Sequence, residues 1–177
     1  MSFVKNLVAA ALCLASAAHA GTWQWQYDAA GIAASGTFTT TDAPDVDGFY
    51  AITAITGSRN GVAITGLQSA GTAIPGNDPY AVDDLVSLAG PQLTWNGFGY
   101  ALADGSFANP FSDGTTAWEY LSVAPWPEGG GQELAVAFTA TPVPEPATAW
   151  LALAGLAGIA AMRRARTHAP SPARASR

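Results

Sequence analysis

From Gly21 to Pro142 this chain holds no histidine, no cysteine and no lysine. That removes Ser-His-Asp and Cys-His nucleophilic schemes, Schiff-base lysines, and zinc sites built on His or Cys. No glycine-rich run opens a helix, so a phosphate cradle is missing too. Carboxylates are what remains. A pair held about 5–9.5 Å apart across a cleft could hydrolyse a glycosidic bond. Asp83, Asp84, Asp104 and Glu119 are available, but no spacing selects two of them, and no catalytic residue is expected. Asp42, Asp45 and Asp47 place three hard oxygen ligands of the kind Ca2+ takes in one turn region, and Asp78, Asp83 and Asp84 place three in another. Neither group follows the D-x-[DN]-x-[DN]-G spacing of a calcium loop. Asp is common in turns for its own backbone hydrogen bonding, so no metal and no cofactor is expected; Asp42, Asp45 and Asp47 are the candidates should one bind.

Tryptophan is the other residue type that could make a site. Trp23, Trp25, Trp95, Trp118 and Trp126 are many for a domain this small, and exposed rings can stack on sugar faces. In a cysteine-free β domain, large rings are also the main source of burial. The first four lie in strand-like patterns and are expected inside. Trp126, between Pro125 and Pro127, is the one expected at the surface and the candidate ligand contact.

The elements that would position these residues are short strands. Trp23, Trp25 and Tyr27 alternate with Gln24 and Gln26, which lines one face with rings. Residues 35–41 place Phe38 among threonines. Residues 49–56 alternate, with Tyr50, Ile52 and Ala54 on one side. Residues 57–61 (Gly-Ser-Arg-Asn-Gly) read as a turn, and 62–67 return as the second arm of a hairpin. Between Gln68 and Pro91 the pattern dissolves into a loop rich in Pro, Gly and Asp. Strand signals return at 92–95 and 98–103, with Asn96-Gly97 as a turn between them. Asn109-Pro110-Phe111 opens a further loop, and 116–123 and 133–141 close the domain. About eight short strands and no helical period predict an antiparallel all-β domain, sandwich or barrel.

Charge narrows the partners. Residues 21–142 carry twelve Asp and Glu against the single Arg59, a formal −11. Such a surface repels nucleic acid and anionic lipid, both of which are bound by Lys and Arg. No nucleic-acid partner is expected.

Both ends read as addresses. Residues 1–20 have Lys5, an apolar stretch over 7–15, and Ala18-His19-Ala20 as a small-x-small cleavage site that leaves Gly21 first. That predicts export through the Sec machinery and cutting by signal peptidase. The single Cys13 leaves with the leader. At the other end stand Val143-Pro144-Glu145-Pro146, an uncharged run over 147–162, and Arg163, Arg164 and Arg166. Two prolines so close keep the backbone extended. A helix over 147–162 would reach about 24 Å against a hydrocarbon core of roughly 30 Å, a marginal span of the inner membrane helped by arginine snorkelling. The arginines hold the cytoplasmic end, which puts the β domain outside. Residues 167–177 are expected to be a disordered tail.

This layout resembles the PEP-CTERM sorting signal of Gram-negative bacteria: a Pro-Glu-Pro motif, a short hydrophobic helix and an Arg-rich end. The resemblance implies recognition by an exosortase, a membrane-embedded cysteine protease or transpeptidase for which this chain is the substrate. The tail after Arg166 is longer than such signals usually carry. The motifs Gly36-Thr37-Phe38-Thr39-Thr40, residues 57–61 and Gly97-Phe98-Gly99-Tyr100 also resemble a recurrent exported β domain found on PEP-CTERM proteins, which implies a fold and no activity. The expectation is a non-enzymatic cargo, transiently anchored and then placed at the cell surface or in a polysaccharide matrix, with a structural or adhesive role. A carbohydrate- or Ca2+-binding module on the same signal is the alternative.

Overall fold

The computed structural model describes residues 21–125, 131–143 and 155–159. Nine strands are described: β1 (Thr22–Ala29), β2 (Ile32–Thr40), β3 (Phe49–Arg59), β4 (Val62–Leu67), β5 (Leu85–Ser87), β6 (Tyr100–Leu102), β7 (Phe107–Ser112), β8 (Ala117–Ser122) and β9 (Gly131–Pro142). Eight of them close into an antiparallel barrel in the order β1-β2-β3-β4-β6-β7-β8-β9, with β9 pairing back onto β1. Closure decides between the two predicted architectures, and it removes the free edges a flat sheet would expose. The short β5 stays outside the ring and pairs with the start of β3 (Phe49↔Ser87, Tyr50↔Val86, Ala51↔Leu85). One compact unit ends at Val143 and a second begins at Pro144.

The β1 alternation faces inward as expected. Trp25 sits at the centre, stacked on Phe38 (centroids 5.5 Å apart, 13° between planes) and met edge-on by Phe98 (5.9 Å, 69°). Trp23 is tied by its Nε1–H to the Thr40 hydroxyl at 3.1 Å. Trp25 Nε1–H has no partner among the described residues, so its burial rests on ring contact alone against a cost of about 1–3 kcal/mol for an unpaired donor. An eight-stranded barrel is just wide enough to be filled by side chains in this way.

Three predicted details are corrected. In β3 the alternation slips, because the register moves from Thr39↔Ala54 to Thr40↔Ile52. Thr53 is the extra residue, its hydroxyl donating to the Thr39 carbonyl at 3.1 Å. The bulge turns Ile55 inward and leaves Ala54 exposed, a shift that a strict period of two does not contain. Asn109-Pro110-Phe111 is no loop but the middle of β7, where Pro110 pairs with Glu119. The Pro110 carbonyl accepts the Phe98 N–H at 3.1 Å. Its ring nitrogen faces that same side, away from β8, so no β7–β8 ladder bond is lost. Third, 92–95 is not a strand; only Leu93 bridges, to Val86, and Asn96-Gly97 does not join a strand pair.

The hairpin at 60–61 is present but tighter than predicted, with β3 running on to Arg59. Its two turn residues have φ of 49° (Asn60) and 81° (Gly61), the mirror-image turn that suits strand twist. Asn60 then binds the neighbouring hairpin: its Oδ1 accepts Ala33 N–H and its Nδ2 donates to the Gly31 carbonyl. Gly36 and Gly57 face each other across β2 and β3. A Cβ on Gly36 would stand 1.8 Å from the Thr56 carbonyl oxygen, so only glycine permits this approach at the bend of the wall.

The long connection between β4 and β6 is packed, not loose. Val86, Leu93 and Phe98 join the core. Gln92 pairs its side-chain amide with both backbone groups of Ala140, on the stretch of β9 that runs past the end of β8. Farther up the chain, the Tyr120 and Ser122 hydroxyls donate to the Gly76 and Pro75 carbonyls, which lays residues 75–76 on the outer face of β8.

Candidate functional site

Two polar arrangements arise from this geometry, one inside the barrel and one outside. The inner one centres on Glu119, only 1% exposed on β8. Arg59, at the end of β3, grips it with two charge-assisted bonds, Nε to Oε2 at 2.8 Å and Nη2 to Oε1 at 2.6 Å. The Tyr27 hydroxyl donates to Glu119 Oε2 and pairs with the Tyr100 hydroxyl. Tyr27 has one proton and spends it on the carboxylate, so Tyr100 donates to Tyr27. The proton order is Tyr100 to Tyr27 to Glu119, closed by Arg59. Burial is the main cause that raises both phenols, Tyr27 well above the usual tyrosine value. The hydrogen bond to Glu119 raises Arg59. This is a saturated structural network: Arg59, the one basic residue between Gly21 and Pro142, neutralises the buried Glu119.

The outer arrangement lies on β7 and β8. Because Glu119 points in, Trp118 points out, opposite Phe111 of β7 in the strand register. Trp118 Nε1–H donates to Asp113 Oδ2 at 3.0 Å, which fixes the indole plane. Asp113 Oδ1 meanwhile accepts Thr115 N–H, Thr115 Oγ1–H and Thr116 N–H at 2.7–2.8 Å. Those donors, the Thr116 amide foremost, hold the Asp113 carboxyl well below the usual range. Trp95 stands 6.5 Å from Phe111 with 61° between the rings. Its neighbour Thr94 is anchored twice, by its carbonyl to Ser112 N–H (2.8 Å) and by its hydroxyl to Asp83 Oδ1 (2.7 Å). Buried Asn109 holds the rest: Nδ2 donates to the Asn96 and Phe98 carbonyls at 3.0 Å, and Oδ1 accepts from Asn77 Nδ2 at 3.3 Å. Trp95, Asn96, Asn109, Phe111, Asp113 and Trp118, with Asn77, Tyr80 and Glu133, line a hollow of roughly 270 Å3.

The structure redistributes the tryptophans. Trp23 and Trp25 are core residues, each 2% exposed, as expected. Trp95 and Trp118 were expected inside and are not: Trp95 is 63% exposed in the long connection, and Trp118 is on the outward face of β8. Strand alternation separates two faces without saying which is the interior. Trp126 lies outside the described residues.

The carboxylates are scattered over separate tasks. Asp45 Oδ1 accepts Asp47 N–H and Phe49 N–H, a turn-forming role in the connection that also holds Asp42. Among the described residues no three His, Cys, Asp or Glu side chains converge to hold a metal ion. Asp104 caps its own turn through Ser106, whose hydroxyl is the main cause that lowers it. Asp84 is buried in a left-handed conformation (φ 55°), receives among the described residues only the long 3.4 Å Gly99 N–H bond, and is raised by burial to about 7. Asp83 is raised for the same reason. None of Asp83, Asp84, Asp104 and Glu119 lines the outer hollow. The residues that do line it carry no spacing signal, because they come from four separate stretches of chain.

The terminal signals are described only at their inner edges. The Gly21 carbonyl accepts Thr40 N–H at 2.9 Å, and Val143 N–H donates to the Thr22 carbonyl at 2.7 Å. Ala18, Ala20, Pro144, Glu145, Pro146, Arg163, Arg164 and Arg166 lie outside the described residues. So does the predicted span 147–162, except that 155–159 is helical; among the described residues no helix is long and apolar enough to cross a membrane. No curated protein and no solved structure matches this chain. Residues 142–166 do match a family model, that of the PEP-CTERM protein-sorting motif, so after the β-barrel in sequence the chain carries a PEP-CTERM sorting signal.

Proposed function

We propose that the chain is exosortase cargo: an exported β-barrel domain, held briefly in the inner membrane by 147–162 and processed around Pro144-Glu145-Pro146. The motif match at 142–166 carries this reading. The position of the motif supports it. The folded barrel ends at Val143, the residue before Pro144, so a cut in the motif would sever no strand. The barrel then acts at the cell surface or in a polysaccharide matrix, in a structural or adhesive role. A non-catalytic role is supported by the carboxylates, since Glu119 is neutralised inside the wall and Asp113 is saturated with donors.

Intact-mass analysis of the mature protein from its native host tests the reading at both ends. The expected mass begins at Gly21 and lacks Arg163, Arg164 and Arg166. A final form that keeps those arginines covalently attached overturns it.

A further inference from the structure

The sorting role proposed above makes no use of the outer hollow. Trp95 is 63% and Tyr80 is 59% exposed, while the two tryptophans of the core are 2% exposed. Aromatic area left wet contributes nothing to folding, and contiguous exposed apolar patches mark sites of interaction. Here the rings are also held in place. Trp118 is pinned through Nε1 to Asp113, and Trp95 follows a doubly anchored Thr94. Such preorganisation lowers the ordering cost of binding.

The chemistry of the lining points to one class of ligand. Trp95 and Phe111 meet at 61° and both line the hollow, so they present a corner and not a flat platform. Amide and carboxylate groups of Asn77, Asn96 and Glu133 lie beside the rings. A pyranose offers the complement, an apolar C–H face bounded by hydroxyls that both donate and accept. The net −11 of the domain and the Asp113 and Glu133 carboxylates disfavour uronic or sulfated polymers. At roughly 270 Å3 the hollow is near the small end of ligand pockets, room for a short stretch of chain. We propose that the hollow between Trp95, Phe111 and Trp118 binds a neutral polysaccharide, with pyranose faces on the indoles and hydroxyls on Asn77, Asn96 and Glu133. This deepens the matrix role by naming its partner. It rests on that reading only for where the glycan is met, since binding is measured apart from processing.

The test is affinity electrophoresis of the full chain in mild detergent. Separate gels contain galactomannan, xyloglucan or mixed-linkage β-glucan as neutral polymers, and alginate as the anionic control. Retardation is expected in at least one neutral gel and absent in alginate. Trp95→Ala, which removes an exposed ring, is expected to weaken binding about tenfold or more with the melting temperature unchanged. The proposal is overturned by no retardation in any neutral gel, by equal retardation in alginate, or by an unaffected Trp95→Ala variant. Concentration-dependent self-association that Trp95→Ala abolishes, while no neutral gel retards the parent, overturns it as well and makes the hollow a contact between copies. A chain processed as proposed above yet blind to these polymers loses this inference and keeps the sorting reading.

Discussion

Replacing Asp84 by Asn should flatten the pH dependence of stability near neutrality. Asp84 is 4% exposed, and burial raises it from 3.8 to about 7. A folded value above the unfolded one means the native state holds the extra proton. The resulting stability is complete below about pH 4 and is lost as pH rises through 7. The full shift corresponds to about 4 kcal/mol, and the part that falls between about pH 5 and pH 8 is roughly 2.5 kcal/mol. Asn is the fitting probe. It tolerates the left-handed φ of 55° and its Oδ1 can still accept the Gly99 N–H, but it carries no charge at any pH. Urea denaturation at several pH values in that window reads the effect. The parent should lose stability toward pH 8 and Asp84→Asn should lose markedly less, keeping only the slope that Asp83 adds in the same direction. Asp104 and Asp113 are shifted down, so their contributions are lost only as pH falls below the ordinary carboxylate value, outside this window. A parent whose stability is flat or rises from pH 5 to pH 8, or a variant with the parent's slope, would refute the reasoning.

Glu119→Ala should cost about 3–5 kcal/mol by chemical denaturation, because it strands the Arg59 guanidinium and the Tyr27 hydroxyl inside the barrel. The double variant Arg59→Met with Glu119→Leu should recover most of that loss, since neither charge is then left unpaired. Gly36→Ala should be far worse than Gly31→Ala. The first drives a methyl to 1.8 Å from the Thr56 carbonyl oxygen and forces the wall open, while the second meets nothing within 4 Å and carries only the strain of its positive φ, about 1 kcal/mol; thermal melts of the pair would separate the two effects.

Much of this protein is legible in its sequence because the information is local. Trp23, Trp25 and Tyr27 declare a strand with one apolar face, Asn60-Gly61 declares a hairpin, and the Pro-Glu-Pro motif with its arginines declares a sorting signal within 25 contiguous residues, 142–166. The all-β class follows from the same short-range patterns. Ring closure, the Thr53 bulge and the hollow do not, since each depends on what another stretch of chain presents. Glu119 shows why. An acidic residue in a strand is ordinarily read as facing water, and it faces the interior here only because Arg59, sixty residues earlier, neutralises it there. Once Glu119 points in, the pleat obliges Trp118 to point out, where Phe111 and the long connection complete the hollow around it. Alternation states that a strand has two faces; which one is dry is decided by the partners that tertiary folding brings to each.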